Sequence, residues 1–296
     1  MKRDVIVKAE NTLAARHKAI NSDYEKNLRK IGEDERYQKL NSALNQMMIE
    51  NARREIYGEK VEKKKEEELK RALEKFLKEK KISLKEKFNC ERCHDIGYEN
   101  GKMCSCLKRE ISNILLEESN FGKLVSFESA KKTAPSEYQK LYDKMKDWCH
   151  SNFKKNLIFI SGKTGVGKTY LIAAIANELI EEGRIVKLVT AFQMSRDFKE
   201  YRFRYNEDLL DRYLNCEFLF IDDLGTETLY KDITVDLLFH VINERRIRKL
   251  CTIITSNLTL DEVFDRYDER IFSRIVDRDQ SITINLVGKD LRINKK

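Results

Sequence analysis

The chain has 296 residues, 41% of them hydrophobic and 36% charged, with a formal net charge of +8, which allows two domains with real cores and favours polyanionic partners. No apolar run approaches a bilayer span and no secretory h-region follows Met1, which argues against a membrane-embedded or exported protein. Seven cysteines fit poorly with a closed disulfide framework, so the expectation is a cytoplasmic protein with reduced thiols.

From Met1 to about Ser83 there is no proline, and the chain reads as helix. The stretch EKVEKKKEEELKRALEKFLKEKK places Leu69, Ala72, Leu73, Phe76 and Leu77 at helical spacing. This makes one apolar stripe through Glu and Lys residues that pair three or four apart. The stripe must cover another helix of the same module or a partner.

The next stretch, NCERCHDIGYENGKMCSCLK, gathers Cys90, Cys93, Cys104 and Cys106. Its spacing is C-x-x-C, a longer gap, then C-x-C, with DIGYENG reading as a tight knuckle between them. Two thiolate pairs joined by a turn suit a tetrahedral zinc held by four cysteines. An iron–sulfur cluster and metal-free thiols are the alternatives, and His94 is a competing ligand. Cys149, Cys216 and Cys251 lie outside the cluster. Cys216 and Cys251 border strands and read as small core residues.

A short helical pattern covers Ile111 to Leu116. SFESAKKTAPSE then holds the only proline, Pro135, and reads as a linker. The expected organisation is a helical, zinc-binding, partner-interaction module over 1–125, a linker over 126–152 and a second domain over 153–296. In that domain NLIFIS, RIVKLVT, CEFLFIDD, CTIITS and SITINL are short apolar or β-branched runs mostly separated by helical patterns. The pattern predicts an α/β domain with a mainly parallel sheet.

GKTGVGKT completes G-x-x-x-x-G-K-[ST] with Gly162, Lys163, Thr164, Gly165, Val166, Gly167, Lys168 and Thr169. It follows a strand and opens a helix, which is the context of a phosphate-binding loop. Backbone N–H groups and the helix N-terminus would cradle the phosphates of ATP. Lys168 would reach the β- and γ-phosphates, and Thr169 would ligate Mg2+. FLFIDD brings Asp222 and Asp223 to a strand end, with Asp222 the candidate for the magnesium and Asp223 for polarising the attacking water. Asn257, at the tip of TIITSN, is placed to orient water, although such an Asn also serves as a turn residue. In DERIFSRIVDR, Arg270 and Arg274 share a helical face, and an assembling ATPase needs an arginine for its neighbour's γ-phosphate.

RDFKEYRFRYNE interleaves Arg196, Lys199, Arg202 and Arg204 with Phe198, Tyr201, Phe203 and Tyr205. Cations with aromatic faces suit single-stranded DNA. The alternative is a helix whose aromatics pack inward.

The phosphate loop, FLFIDDLGTE, TIITSNL, ERIFSRI and the late GKDLR follow one another in the order of AAA+ ATPases. From about Phe153 onward the chain resembles the DnaC/DnaI-type replicative helicase loaders and the related IstB-type transposition ATPases. The resemblance implies an AAA+ ATPase that hydrolyses ATP with Mg2+, assembles as a homo-oligomer when ATP-bound, and contacts single-stranded DNA. Its implied partner is a hexameric DnaB-type replicative helicase, loaded during replication initiation. It also implies Asn257 as the sensor-one residue, Arg274 as the trans-acting finger and Arg292 as the sensor-two arginine. Many AAA+ proteins carry Glu where Asp223 stands, which makes Glu227 a reserve base. The cysteine cluster resembles that of zinc-bearing helicase loaders and is not expected of IstB-type proteins. The rival expectations are an IstB-type transposition helper, a nucleotide-gated DNA-binding switch with little turnover, and a small-molecule kinase.

Overall fold

A computed structural model of the chain describes residues 3–118, 122–204 and 206–291. Tyr205 and Arg292, both singled out above, lie outside the described residues. The chain forms two compact units, one of residues 13–95 and one of residues 1–12 with 96–296.

Helix α1 (Arg3–Ile20) opens the chain. The smaller unit then contains α2 (Ser22–Gly32), α3 (Glu35–Ile56) and α4 (Lys63–Glu79). Asp34 caps α3, accepting from the N–H groups of Arg36 and Tyr37 and from Lys80 Nζ at 2.8 Å. Helices α3 and α4 pair as an antiparallel hairpin, because Arg36 meets Glu79 at one end and Asn51 meets Glu66 at the other. Phe76 of the predicted stripe is buried with Ile31 and Tyr37, and Leu73 and Leu77 pack beside it. Ala72 is exposed, so the stripe covers less than its spacing suggested.

The larger unit continues with β1 (Tyr98–Glu99) and β2 (Lys102–Met103), a short antiparallel hairpin. Next come α5 (Ser105–Glu117), α6 (Phe127–Thr133), a 3-10 turn at Ser136–Tyr138 and α7 (Gln139–Cys149). The α/β part follows as β3 (Leu157–Gly162), α8 (Lys168–Glu181), β4 (Val186–Thr190), α9 (Ala191–Arg204) and α10 (Glu207–Leu214). It ends with β5 (Phe218–Leu224), α11 (Thr234–Ile247), β6 (Cys251–Ser256), α12 (Leu260–Tyr267), α13 (Glu269–Ile275) and β7 (Ser281–Leu286).

All five predicted apolar runs are strands of one sheet in the order β4-β5-β6-β3-β7, and every pairing is parallel. Strands β3, β5 and β6 read as near-continuous apolar runs because helices cover both faces, whereas the edge strand β7 alternates. The chain leaves β3 for β4 on one side and later returns to β7 on the other. The order therefore reverses at β3, and ligands of open α/β sheets bind beyond the strand C-termini at such a point. This is the AAA+ P-loop architecture expected from the motifs.

The segment expected to be a linker, 126–152, is mostly helical instead and buries one face. Phe127, Tyr142, Met145 and Trp148 enter the same core as Leu171 and Ile175 of α8. Pro135 only separates two helices, and the aromatics around it supply the packing that its polar neighbours conceal. Helix α5 belongs to the same unit. Its Leu107, Ile111 and Leu115 are buried, and Ser112 Oγ donates to Arg184 O and accepts from Val186 N, both at 2.9 Å. The compact units therefore part at 12/13 and 95/96, not at 125/126.

Candidate functional site

The phosphate loop bridges β3 and α8. Gly162, Gly165 and Gly167 have φ of 152°, 81° and 100°, where a side chain is strained. A Cβ at Gly162 would stand 2.5 Å from Leu286 O, and one at Gly165 would strike the Asp290 carboxylate. Leu291 N also donates to Gly165 O at 2.9 Å. The late GKDLR segment thus lies against the loop, with its Arg292 beyond the described residues.

Lys168 is buried at 5% exposure. Its ammonium donates to Gly162 O at 2.6 Å, Lys163 O at 3.0 Å and Asn257 Oδ1 at 2.5 Å. The loop lysine and the tip of β6 therefore converge on one point. Thr169 Oγ1 donates to Asp222 at 3.1 Å, which places the two candidate magnesium ligands together. Burial is the main cause that raises the Asp222 pKa above the ordinary carboxylate range, against hydrogen bonds from Thr255 and Thr169. An anion held at such cost is a good partner for a divalent cation.

The ladder between β5 and β6 is interrupted between Ile221 and Leu224, and Asp223 takes a φ of 55°. Thr255 fills the gap in the pairing. Its hydroxyl donates to Asp222 Oδ1 at 2.5 Å and accepts from Asp223 N at 3.0 Å. Sequence reasoning missed this residue. Its only signal was a small hydroxyl residue at the end of a buried strand, beside the one that carries the aspartates.

Glu227, the reserve base, is already engaged. It accepts from Gly225 N at 2.8 Å, from Tyr267 Oη at 2.5 Å and from Arg266 at 3.3 Å. It is 5% exposed and works as an internal tie between β5 and α12. Asp223, half-buried, stands beside Asp222 at the strand end.

Arg274 lies near the end of α13, which leads into the start of β7. In a parallel sheet that is the edge opposite the phosphate loop. Arg274 and the loop of the same chain therefore occupy opposite edges.

Helix α9 divides the basic-aromatic stretch. Phe198 is buried in the core, whereas Arg196, Lys199, Arg202, Phe203 and Arg204 are exposed. Lys199 stands over the ring of Tyr230, 4.8 Å from its centroid.

In the cysteine knuckle, the Sγ atoms of Cys90, Cys93, Cys104 and Cys106 lie within 4.8 Å of one another. A tetrahedral zinc with Zn–S of about 2.3 Å needs sulfurs roughly 3.8 Å apart, so the donor set fits that ion. Asp95 orders the first turn by accepting from Asn89 N at 3.0 Å and Cys90 N at 2.8 Å. Cys104 N donates to Gly97 O at 2.8 Å. The remaining cysteines are core residues: all three are buried. Burial pushes the Cys251 thiol up to about 12 and raises Cys149 as well.

No described helix is long and apolar enough to cross a membrane. The family described as "IstB-like ATP binding protein" matches residues 108–296, more than half of the chain. A chromosomal replication initiator protein DnaA of Campylobacter fetus is 34% identical over 40% of this chain and 27% of its own length. The replicative helicase loader DnaI of Bacillus subtilis is 30% identical over 43% of this chain and 40% of its own length. The phage-like element PBSX protein XkdC of the same organism is 27% identical over 71% of this chain and 86% of its own length. The chain thus spans about a quarter of that DnaA and two-fifths of DnaI.

Proposed function

Because the chain belongs to the IstB-like ATP-binding protein family, we propose that it is a Mg2+-dependent ATPase that loads a hexameric DnaB-type replicative helicase onto single-stranded DNA in the cytoplasm. The observation that carries the ATPase part of this reading is the convergence of Lys168, Thr169, Asp222 and Asn257 at the strand C-termini. Thr169 and Asp222 would hold a Mg2+ ion, which would supply neutralising charge for the phosphates. Lys168 turns from the carbonyls of Gly162 and Lys163 to the β- and γ-phosphates. Asp223 polarises the attacking water and takes its proton, Asn257 orients it, and as the water oxygen bonds to the γ-phosphorus the bond to the β,γ-bridging oxygen breaks, releasing inorganic phosphate and ADP. Arg292 is proposed to contact the same nucleotide, and Arg274 the nucleotide of the next copy in an ATP-bound oligomer. The exposed cations and Phe203 of α9 suit a single strand.

The helical unit and the cysteine knuckle, with zinc bound, grip the helicase. The likeness to DnaI supports that partner. A second reading, an IstB-type transposition helper, is favoured by the family description. The family match begins at residue 108, after the last cysteine of the cluster, so the knuckle is the feature that separates the two readings. The test is loading of a replicative helicase onto single-stranded circular DNA. ATP-dependent transfer by the wild-type chain, lost in Lys168→Ala, is expected. Wild-type chain that binds and activates a transposase but no helicase would favour the second reading.

A further inference from the structure

Arg270 and Arg274 lie one turn apart on α13 and converge on one ring. Their guanidinium carbons stand 4.8 and 4.9 Å from the centroid of Phe239 on α11. Their charges are treated differently. Arg270 is paired with Asp236 at 3.0 Å and Asp268 at 2.9 Å. Among the described residues Arg274 donates only to neutral acceptors: Arg270 O at 3.3 Å, Ser273 Oγ at 3.1 Å and Asn243 Oδ1 at 3.3 Å. Its Nε is buried with no partner among the described residues. A guanidinium stacked on a ring and held by neutral groups loses freedom but keeps its field. Such a donor is preorganised for an anion that arrives later.

The surroundings point the same way. Arg274 forms part of the wall of a groove of about 1020 Å3 at the sheet edge opposite the phosphate loop. Asp277 and Glu217 in that wall are already paired, the first with Arg246 and the second with Lys108 and Arg184. Lys154 and Lys249 share the wall, and neither they nor Arg274 has a carboxylate partner among the described residues. The groove therefore offers uncompensated positive charge. No described anionic side chain of that wall is left to meet it.

We propose that Phe239 is a positioning residue that, with Asn243, presents Arg274 rather than Arg270 to the terminal phosphate of ATP held by a second copy of this chain. The inference rests on the ATPase reading above. An arginine supplied in trans is worth about 10³–10⁵ in turnover, so small losses of aim are measurable. Phe239 is half-buried, and its replacement leaves the core intact.

The test uses the full chain with Mg2+ and ATP, measuring nucleotide affinity, steady-state turnover and melting temperature. Phe239→Ala should keep ATP affinity within about two-fold while kcat falls roughly ten-fold, the cost of one lost cation–aromatic contact. Phe239→Trp should restore most of the turnover, because the ring face returns. Mixing Phe239→Ala with Asp223→Asn should also recover activity, since one copy contributes a sound ATP site and the other a well-aimed arginine. Arg274→Ala is the reference and should be slower than Phe239→Ala, whereas Arg270→Ala should stay closer to wild type. If Arg274→Ala turns over normally, the trans-arginine part of the ATPase reading fails and the inference with it. If Arg274→Ala is slow but Phe239→Ala is normal, or Phe239→Trp fails to restore it, the positioning role alone is overturned. A loss in Arg270→Ala equal to that in Arg274→Ala overturns the choice between the two arginines.

Discussion

Asp223 and Glu227 are near neighbours in sequence, and their surroundings separate their work. Glu227 ties a backbone N–H, a tyrosine hydroxyl and a guanidinium, whereas Asp223 stands half-buried at the strand end. Asp223→Asn should therefore bind ATP like wild type and lose hydrolysis, as read by equilibrium binding and phosphate release. Glu227→Ala should instead lower stability by about 2–3 kcal/mol, because it leaves the buried Tyr267 hydroxyl without its acceptor and Arg266 without its carboxylate; the figure is below that of a fully buried pair because Arg266 keeps its bond to the Glu227 carbonyl and reaches water. Normal phosphate release by Asp223→Asn would return the base to another group. The contrast also marks what the sequence disclosed. The phosphate loop was legible because its glycines, lysine and threonine are contiguous and their chemistry is local. The engagement of Glu227 was not, since Arg266 and Tyr267 lie 39 and 40 residues away. Thr255 was missed for the same reason, because its role arises from two strands meeting side by side.

Among the elements, the cysteine knuckle and helix α5 share a residue. Cys104 is the N-cap of α5. A metal held by its thiolate would fix that end of the helix. The binding free energy of such a site is part of the free energy of folding. One zinc per chain is expected by elemental analysis of the purified protein. Cys104→Ser should lose the zinc and loosen residues 89–106, read as faster amide exchange confined to that stretch, with helicase capture reduced. Basal ATP hydrolysis should persist, because the sheet and phosphate loop have their own core. A metal-free wild type that still captures helicase would remove zinc from the account. Helix α9 teaches a related lesson about faces. Its aromatics did not fall on one helical face in the sequence, and the structure divides them, with Phe198 inside and Phe203 outside.

For the whole molecule, the position of the boundary follows from burial and not from proline. Helix α5 packs within the larger unit through Leu107, Ile111 and Leu115, and Ser112 bonds the backbone at the start of β4. A fragment of residues 126–296 should therefore expose that apolar face and aggregate or melt well below a fragment of residues 96–296. The longer fragment should fold and bind ATP. Equal melting temperatures for the two would restore the division near residue 125. All five strands were legible as apolar runs. The helices over 126–152 were not, because polar residues around Pro135 resemble a linker until Phe127, Tyr142 and Trp148 find the core.

The phosphate loop and Arg274 lie on opposite edges of one parallel sheet. A contact that joins the arginine edge of one copy to the ATP edge of the next is head-to-tail, and such contacts generate either a closed ring or an open helix. The two outcomes differ in arithmetic. A ring completes every ATP site. An open helix always leaves one terminal copy holding ATP with no arginine to meet it, and the opposite terminal copy with an arginine that meets nothing. The ends of the assembly are then chemically unequal. Nucleotide at the first end would outlast nucleotide in the middle, and disassembly would acquire a direction.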